Sequence, residues 1–168
     1  MSKIEWCDET WNPITGCTPI SEGCQNCYAK RMATRLRGRF GYPKDEPFRV
    51  TIHDEMFYSS WKNRKITRYW RKPRKIFVCS MGDLFHENVS TLELYRVLKV
   101  IQENSHCMFL ILTKRPHRLK KYLTEDYCKS FGDYQTEKAV KEQMNTVGIK
   151  NLWLGVTAED QQRFNERW

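Results

Sequence analysis

The sequence predicts an α/β domain with parallel strands, and three observations predict it. Short apolar runs stand at 75–80 (KIFVCS), 107–113 (CMFLILT) and 151–156 (NLWLGV). Segments of helical periodicity alternate with them. Each run gives way to polar residues, Ser80-Met81-Gly82-Asp83, Thr113-Lys114-Arg115 and Thr157-Ala158-Glu159, and in α/β folds function collects at the carboxyl ends of the strands.

In chain order, residues 1–27 are acidic, aromatic and punctuated by Asn12-Pro13, Gly16, Pro19 and Gly23, which predicts a long loop. From Tyr28 to about Arg37 the positions Ala29, Met32, Ala33 and Leu36 recur at helical spacing, and Gly38 and Gly41 end the pattern. Phe48 to His53 alternates like a strand, with a short helix expected over 54–62. Ser90 with Glu93 forms a capping box and opens a helix whose apolar face is Leu94, Val97, Leu98 and Ile101, ending near Asn104. The runs at 107–113 and 151–156 are apolar at successive positions, the pattern of strands buried on both faces. Residues 119–148 carry a mixed signal in which Val140, Met144 and Val147 share one stripe and Gly148 caps it. A polar helix runs on to Trp168. The whole of 1–168 reads as one domain with a cysteine loop (1–27), a basic segment (28–75) and alternating strands and helices (76–168).

Composition narrows the class. Of 168 residues 40% are hydrophobic and 29% charged, enough apolar material for a core. The longest purely apolar run, Met108 to Leu112, is far shorter than the roughly 20 residues that span a bilayer, so no membrane partner is expected. The start has no apolar leader segment, and seven cysteines without one fit a reducing, cytoplasmic location. Net charge is +9, and 28–75 holds 15 Lys/Arg against four Asp/Glu. Such a localised excess points to a polyanionic partner, with a merely solvated basic face as the alternative.

The strongest chemical signal is Cys17-x6-Cys24-x2-Cys27, directly before the first helix. Three thiolates in one loop can hold a metal centre. Zinc needs a fourth ligand, which Cys7 or one of His53, His86, His106 and His117 can supply. A four-iron cluster with one open iron needs only three cysteines, and thiols with no ligand remain the third possibility. Cys79 and Cys107, inside apolar runs, read as core thiols.

Asn12-Pro13-Ile14-Thr15-Gly16-Cys17 together with Cys24-Gln25-Asn26-Cys27-Tyr28-Ala29 resembles the cluster loop of radical S-adenosylmethionine enzymes of the spore photoproduct lyase type. It is still more similar to a phage-encoded three-cysteine-motif family of the Gp37/Gp68 type. The segments 76–86 (IFVCSMGDLFH), 110–116 (LILTKRP) and 153–159 (WLGVTAE) match that family in the same order. The resemblance implies a partial (β/α) barrel with parallel strands holding a [4Fe-4S] cluster on Cys17, Cys24 and Cys27. It also implies S-adenosylmethionine as a second cofactor, cleaved by an electron from a donor to give a 5′-deoxyadenosyl radical. Tyr28, Ser80, Met81, Gly82, Asp83, Thr113 and Lys114 take the cofactor-contacting positions. The first gap is six residues where the usual spacing has three, and Asn26 replaces the usual aromatic. Family members continue into further strands, so the chain is expected to be a truncated member, incomplete at its C-terminus.

Trp61 to Lys75 (WKNRKITRYWRKPRK) holds eight basic residues and no acid, interleaved with Trp61, Tyr69 and Trp70. Cations that neutralise phosphates and aromatics that stack on bases suit a nucleic-acid track. The expected contacts are Lys62, Arg64, Lys65, Arg68, Arg71 and Lys72, the alternative being that the aromatics are core. Lys114, Arg115, Arg118, Lys120 and Lys121 form a second basic cluster. Asp83 and His86 form a candidate hydrogen-bonding or acid/base pair, with a capping role as the alternative. The leading expectation is an iron–sulfur, radical S-adenosylmethionine-type enzyme, phage-encoded and active in the host cytoplasm on a nucleotide or nucleic acid. The alternatives are a zinc-stabilised nucleic-acid-binding module without catalysis and a truncated member acting through a protein partner.

Overall fold

The computed structural model describes residues 4–58, 70–122 and 149–167. Four strands form one wholly parallel sheet: β1 (Glu9–Trp11), β4 (Lys75–Val78), β5 (Met108–Thr113) and β6 (Leu152–Val156), in the order β1-β4-β5-β6. Two further strands, β2 (Ile14–Thr15) and β3 (Thr51–Ile52), pair antiparallel beside it. The helices are α1 (Tyr28–Arg35), α2 (Asp54–Tyr58), α3 (Thr91–Glu103), α4 (Pro116–Lys121) and α5 (Gln161–Arg167), with a 3-10 turn at Glu22–Asn26. Within the main sheet each strand lies beside the next one in the chain. All four carboxyl ends therefore open on the same edge. Among the described residues no helix is long and apolar enough to cross a membrane.

Why these residues form these elements is clearest in α3. Ser90 Oγ accepts from the Glu93 backbone N–H at 3.3 Å and the Glu93 carboxylate accepts from the Ser90 N–H at 2.6 Å, so the expected capping box is complete. Leu94, Val97, Leu98 and Ile101 are buried against Trp11, Ile76, Val78, Phe109 and Ile111, which the sheet register places on one face. At the far end the Asn151 amide donates to the carbonyls of Ile101, Asn104 and Cys107 at 2.9–3.1 Å, supplying partners where helical ones run out.

Several expectations need correction. The first strand of the sheet is Glu9–Trp11, inside the segment expected to be loop. The strand expected over 48–53 is ordered as such only at Thr51–Ile52. Its partner β2 is equally short because Pro13 has no N–H and the chain turns at Gly16, whose φ is +88°. Neither β5 nor β6 is buried on both faces. Phe109, Ile111 and Thr113 are buried, but Leu112 is 40% exposed, and on β6 Trp153 is 61% exposed. The α3 layer covers one side of the sheet, whereas Phe77 and Leu112 of the opposite side look into a cavity. The stripe Val140, Met144 and Val147 lies outside the described residues, as does Cys128.

Trp70 also departs from its expected place. It is 4% exposed and packs edge-on against Trp11 (5.5 Å) and Phe109 (5.4 Å), so it is core rather than a platform for bases. Trp61 and Tyr69 lie outside the described residues. Cys79 and Cys107 are buried, as expected, and burial pushes the Cys79 thiol up to about 12.

Candidate functional site at the carboxyl edge of the sheet

The turns that leave β1, β4, β5 and β6 meet around a cavity of about 260 Å³, lined by Cys17, Cys24 and Cys27. Two devices, one a side-chain clamp and one a backbone bridge, place the cysteine loop there. Asn12 accepts at its Oδ1 from the Ser80 hydroxyl (3.1 Å) and the Met81 N–H (3.0 Å), binding the turn after β1 to the turn after β4. Gly16 then donates its N–H to the Met81 carbonyl at 2.9 Å and runs beside Gly82 as a parallel bridge. A Cβ at Gly16 would stand 2.2 Å from the Arg49 carbonyl oxygen, so only glycine permits the approach.

Under this loop lies Arg115, 1% exposed at its side chain. Its Nη1 donates to Cys17 Sγ at 3.3 Å and to Asp83 Oδ2 at 3.2 Å, while Nε reaches both Glu87 carboxylate oxygens at 3.0 Å. Its Nη2 donates to the carbonyl and hydroxyl of Thr18 at 3.1 and 3.0 Å. Burial opposes the guanidinium charge, but Cys17, Asp83 and Glu87 outweigh it and its pKa lies above the ordinary value. Asp83 is equally committed: it accepts from Thr113 Oγ1 (2.7 Å) and from the Phe85 and Lys114 N–H groups as well. These bonds tie the turn after β4 to the turn after β5 and brace the cavity floor. His86 faces elsewhere, its Nε2 2.9 Å from Thr18 Oγ1 and its Nδ1 accepting from the Asn88 N–H.

The far wall is tied by Glu159, beyond β6. It accepts from the hydroxyl of Ser21 in the cysteine loop at 2.6 Å, from the Lys114 ammonium, and from Arg167 at 2.7 Å. Those donors overcome the effect of burial and hold its carboxyl at about 2 instead of the ordinary 4.5. A carboxylate with a lowered folded-state pKa stabilises fully above its unfolded pKa and loses that contribution as the pH falls. The tie should therefore hold above about pH 4.5 and weaken towards pH 2. Urea midpoints measured at pH 6 and pH 3 should show the lead of the native protein over Glu159→Gln shrinking at the lower pH.

The thiols differ in their surroundings. Burial raises the Cys17 pKa above 9.0 despite the neighbouring guanidinium. At Cys24 burial acts in the same direction, but hydrogen bonds from Ile20 and Ser21 with the Lys114 ammonium 3.8 Å away bring the pKa below 9.0. All three cysteines are free thiols. They stand around the cavity wall, and among the described residues no group of three His, Cys, Asp or Glu side chains converges on one point. Cys7, weighed as a fourth ligand, precedes β1 and lies at the amino edge of the sheet, at the opposite end from the loop. None of the four histidines lines the cavity.

Of the expected cofactor positions, Tyr28, Ser80, Gly82, Asp83, Thr113 and Lys114 line the same cavity as the thiols. Met81 does not: it is buried against Ala29, Ala33 and Tyr42, because the Asn12 clamp on its N–H turns it beneath α1. The expected nucleic-acid contacts Lys62, Arg64, Lys65 and Arg68 lie outside the described residues. Arg71 and Lys72 are exposed, but Cys107 Sγ donates to the Lys72 carbonyl and the Met108 N–H to that of Arg74, which fixes this segment at the amino edge of the sheet. They are not brought to the cavity. Arg115 and Glu159 are the site residues whose roles the sequence did not disclose.

The family model described as "Protein of unknown function (DUF5131)" matches residues 1–168. No curated protein and no solved structure matches the chain.

Proposed function

We propose that this chain, which belongs to the DUF5131 family, is an iron–sulfur protein of the radical S-adenosylmethionine type that acts on a nucleotide or nucleic acid. The observation that carries the reading is the meeting of Cys17, Cys24 and Cys27 with Ser80, Gly82, Asp83, Thr113 and Lys114 in one cavity at the carboxyl edge of a parallel sheet. Thiols spread around a wall suit a group larger than a single ion, and three of them leave one iron of a four-iron cluster open. The sequential strand order suits a partial (β/α) barrel as the frame. Cys17, Cys24 and Cys27 would hold the cluster and the other cavity-lining residues S-adenosylmethionine, whose one-electron cleavage would supply the chemistry for taking hydrogen from a substrate.

The chain's own residues supply position and charge. Asn12 and Gly16 hold the cysteine loop over the sheet edge, and Arg115 and Lys114 set positive charge beside Cys17 and Cys24. That charge favours thiolate and offsets the net negative charge of a cluster held by three thiolates. Phe77 and Leu112 give the cavity an apolar wall. The test is anaerobic incubation with S-adenosylmethionine and dithionite, with chromatography for 5′-deoxyadenosine and methionine. Both should accumulate with the native protein and not with Cys24→Ala. Protein that carries a full cluster yet forms neither would overturn the reading, and protein that binds one zinc would make the site structural.

A further inference from the structure

From Tyr28 to Lys44 the chain holds six Lys/Arg and no Asp or Glu. Helix α1 turns Ala29 and Ala33 inward onto Tyr42 and Met81, with Met32, Leu36 and Phe48 packed beside them. The cations therefore stand outward: Lys30, Arg31 and Arg35 on the helix and Arg37, Arg39 and Lys44 in the turn after it are all exposed. Among the described residues no carboxylate pairs with any of the six, and Arg35 Nη1 reaches only the Met32 sulfur at 3.9 Å. Asp45, the next residue along, is already paired with Arg49 at 3.2 Å. Two aromatics stand among these charges and are not core. Tyr28 is 62% exposed and lines the cysteine cavity. With Arg31 and Arg35, three and seven positions on, it forms one stripe that leads about 10 Å along the helix away from the cavity. Phe40 is 79% exposed at the tip of the turn, with φ +50°. That turn is closed by the Gly38 N–H to the Tyr42 carbonyl (3.0 Å) and the Tyr42 N–H to the Arg39 carbonyl (2.9 Å), and buried Tyr42 anchors it. A left-handed backbone disfavours a bulky residue, and no burial of the Phe40 ring offsets the cost.

We propose that the outer face of α1 and the turn after it bind single-stranded nucleic acid, with the cations on phosphates and Phe40 stacked on an unpaired base. The inference rests on the function proposed above only for what would be done to a nucleotide that reaches the thiols. Uncompensated cations neutralise phosphates and release counterions, and an exposed ring stacks on any base whose face is free. A duplex offers no such face along its length. A lipid surface fits less well, because every exposed residue between Tyr28 and Phe40 is polar or glycine and the apolar stripe of α1 is turned into the core. The surface begins at a residue of the cysteine cavity, whereas the described members of the basic stretch read in the sequence sit at the other edge of the sheet.

The probe is a fluorescent 12-nucleotide thymidine oligomer, followed by anisotropy across a salt series. Arg31→Gln/Arg39→Gln should weaken binding about tenfold or more at low salt, and loss of two phosphate contacts should reduce the log–log salt slope by about 1.4. Phe40→Ala should weaken binding about fivefold or more through lost stacking while leaving the slope unchanged. Phe40→Gly, which relieves the left-handed backbone, should bind as weakly as Phe40→Ala with a urea midpoint no lower than that of the native protein, so that misfolding is not the cause. Arg71→Gln/Lys72→Gln removes the same charge elsewhere and should change affinity less than about threefold. Equal losses in the two double variants, or unchanged affinity in both Phe40 variants, would overturn the proposal. So would a duplex of the same length bound as tightly as the single strand, or Phe40-dependent binding to phosphatidylserine vesicles in place of the oligomer. Iron and sulfide measured on the same samples separate the two readings: binding that depends on Arg31, Arg39 and Phe40 without iron removes the cluster and keeps this surface, and an intact cluster without such binding does the reverse.

Discussion

Arg115→Ala should lower folding stability by about 3–5 kcal/mol, the cost of leaving a buried charge without its partner. The stranded charge is Asp83, whose side chain is 7% exposed and receives Arg115 Nη1 at 3.2 Å. Glu87 contributes little to this figure, because at 53% exposure it is solvated with or without the guanidinium. Arg115→Lys should recover only part of the loss, since one ammonium cannot reach Asp83, Cys17 and Thr18 from the positions of a planar fork. Urea unfolding of the three proteins measures this. A loss below about 1 kcal/mol for the alanine variant would mean that the guanidinium does not brace the cysteine loop.

Gly16→Ala should cost about 2–5 kcal/mol, combining a left-handed backbone that disfavours any Cβ with overpacking against fixed main chain. The new methyl carbon would lie 2.2 Å from the Arg49 carbonyl oxygen and 2.7 Å from that of Phe48, neither of which is a flexible side-chain end. Relief requires the loop to lift, which lengthens the Gly16 N–H to Met81 and Cys17 N–H to Phe48 bonds of 2.9 and 3.1 Å. The cysteine next in sequence moves with it. Metal content per folded chain should therefore fall along with the urea midpoint, whereas Gly38→Ala, in a turn remote from the cavity, should leave metal content unchanged.

Much of this arrangement was legible in the chain. Helix α3 announced itself through Ser90, Glu93 and an unbroken apolar face, and β4 and β5 through β-branched and aromatic runs ending in polar turns. That Ser80-Met81-Gly82-Asp83 and Thr113-Lys114 come to one edge was legible because residues that follow parallel strands share it. β1 was hidden because Glu9-Thr10-Trp11 is three residues long and two of them are polar, too short for a period to register. Trp70 misled because an aromatic among lysines and arginines has the same pattern whether it stacks on bases or fills a core, and only its packing on Trp11 and Phe109 distinguishes the two. Arg115 read as one member of a second basic cluster near a strand end. Its burial follows from Asp83, Thr18 and Cys17 converging from distant parts of the chain, which no local pattern records.

The central claim is that Cys17, Cys24 and Cys27 jointly hold an iron–sulfur cluster, and metal and sulfide analysis of anaerobically purified protein tests it most directly. The account predicts about four irons and four sulfides per chain with a broad absorption near about 400 nm, all lost in the Cys17→Ala/Cys24→Ala/Cys27→Ala variant. One zinc and no colour, or iron retained by that variant, would contradict it.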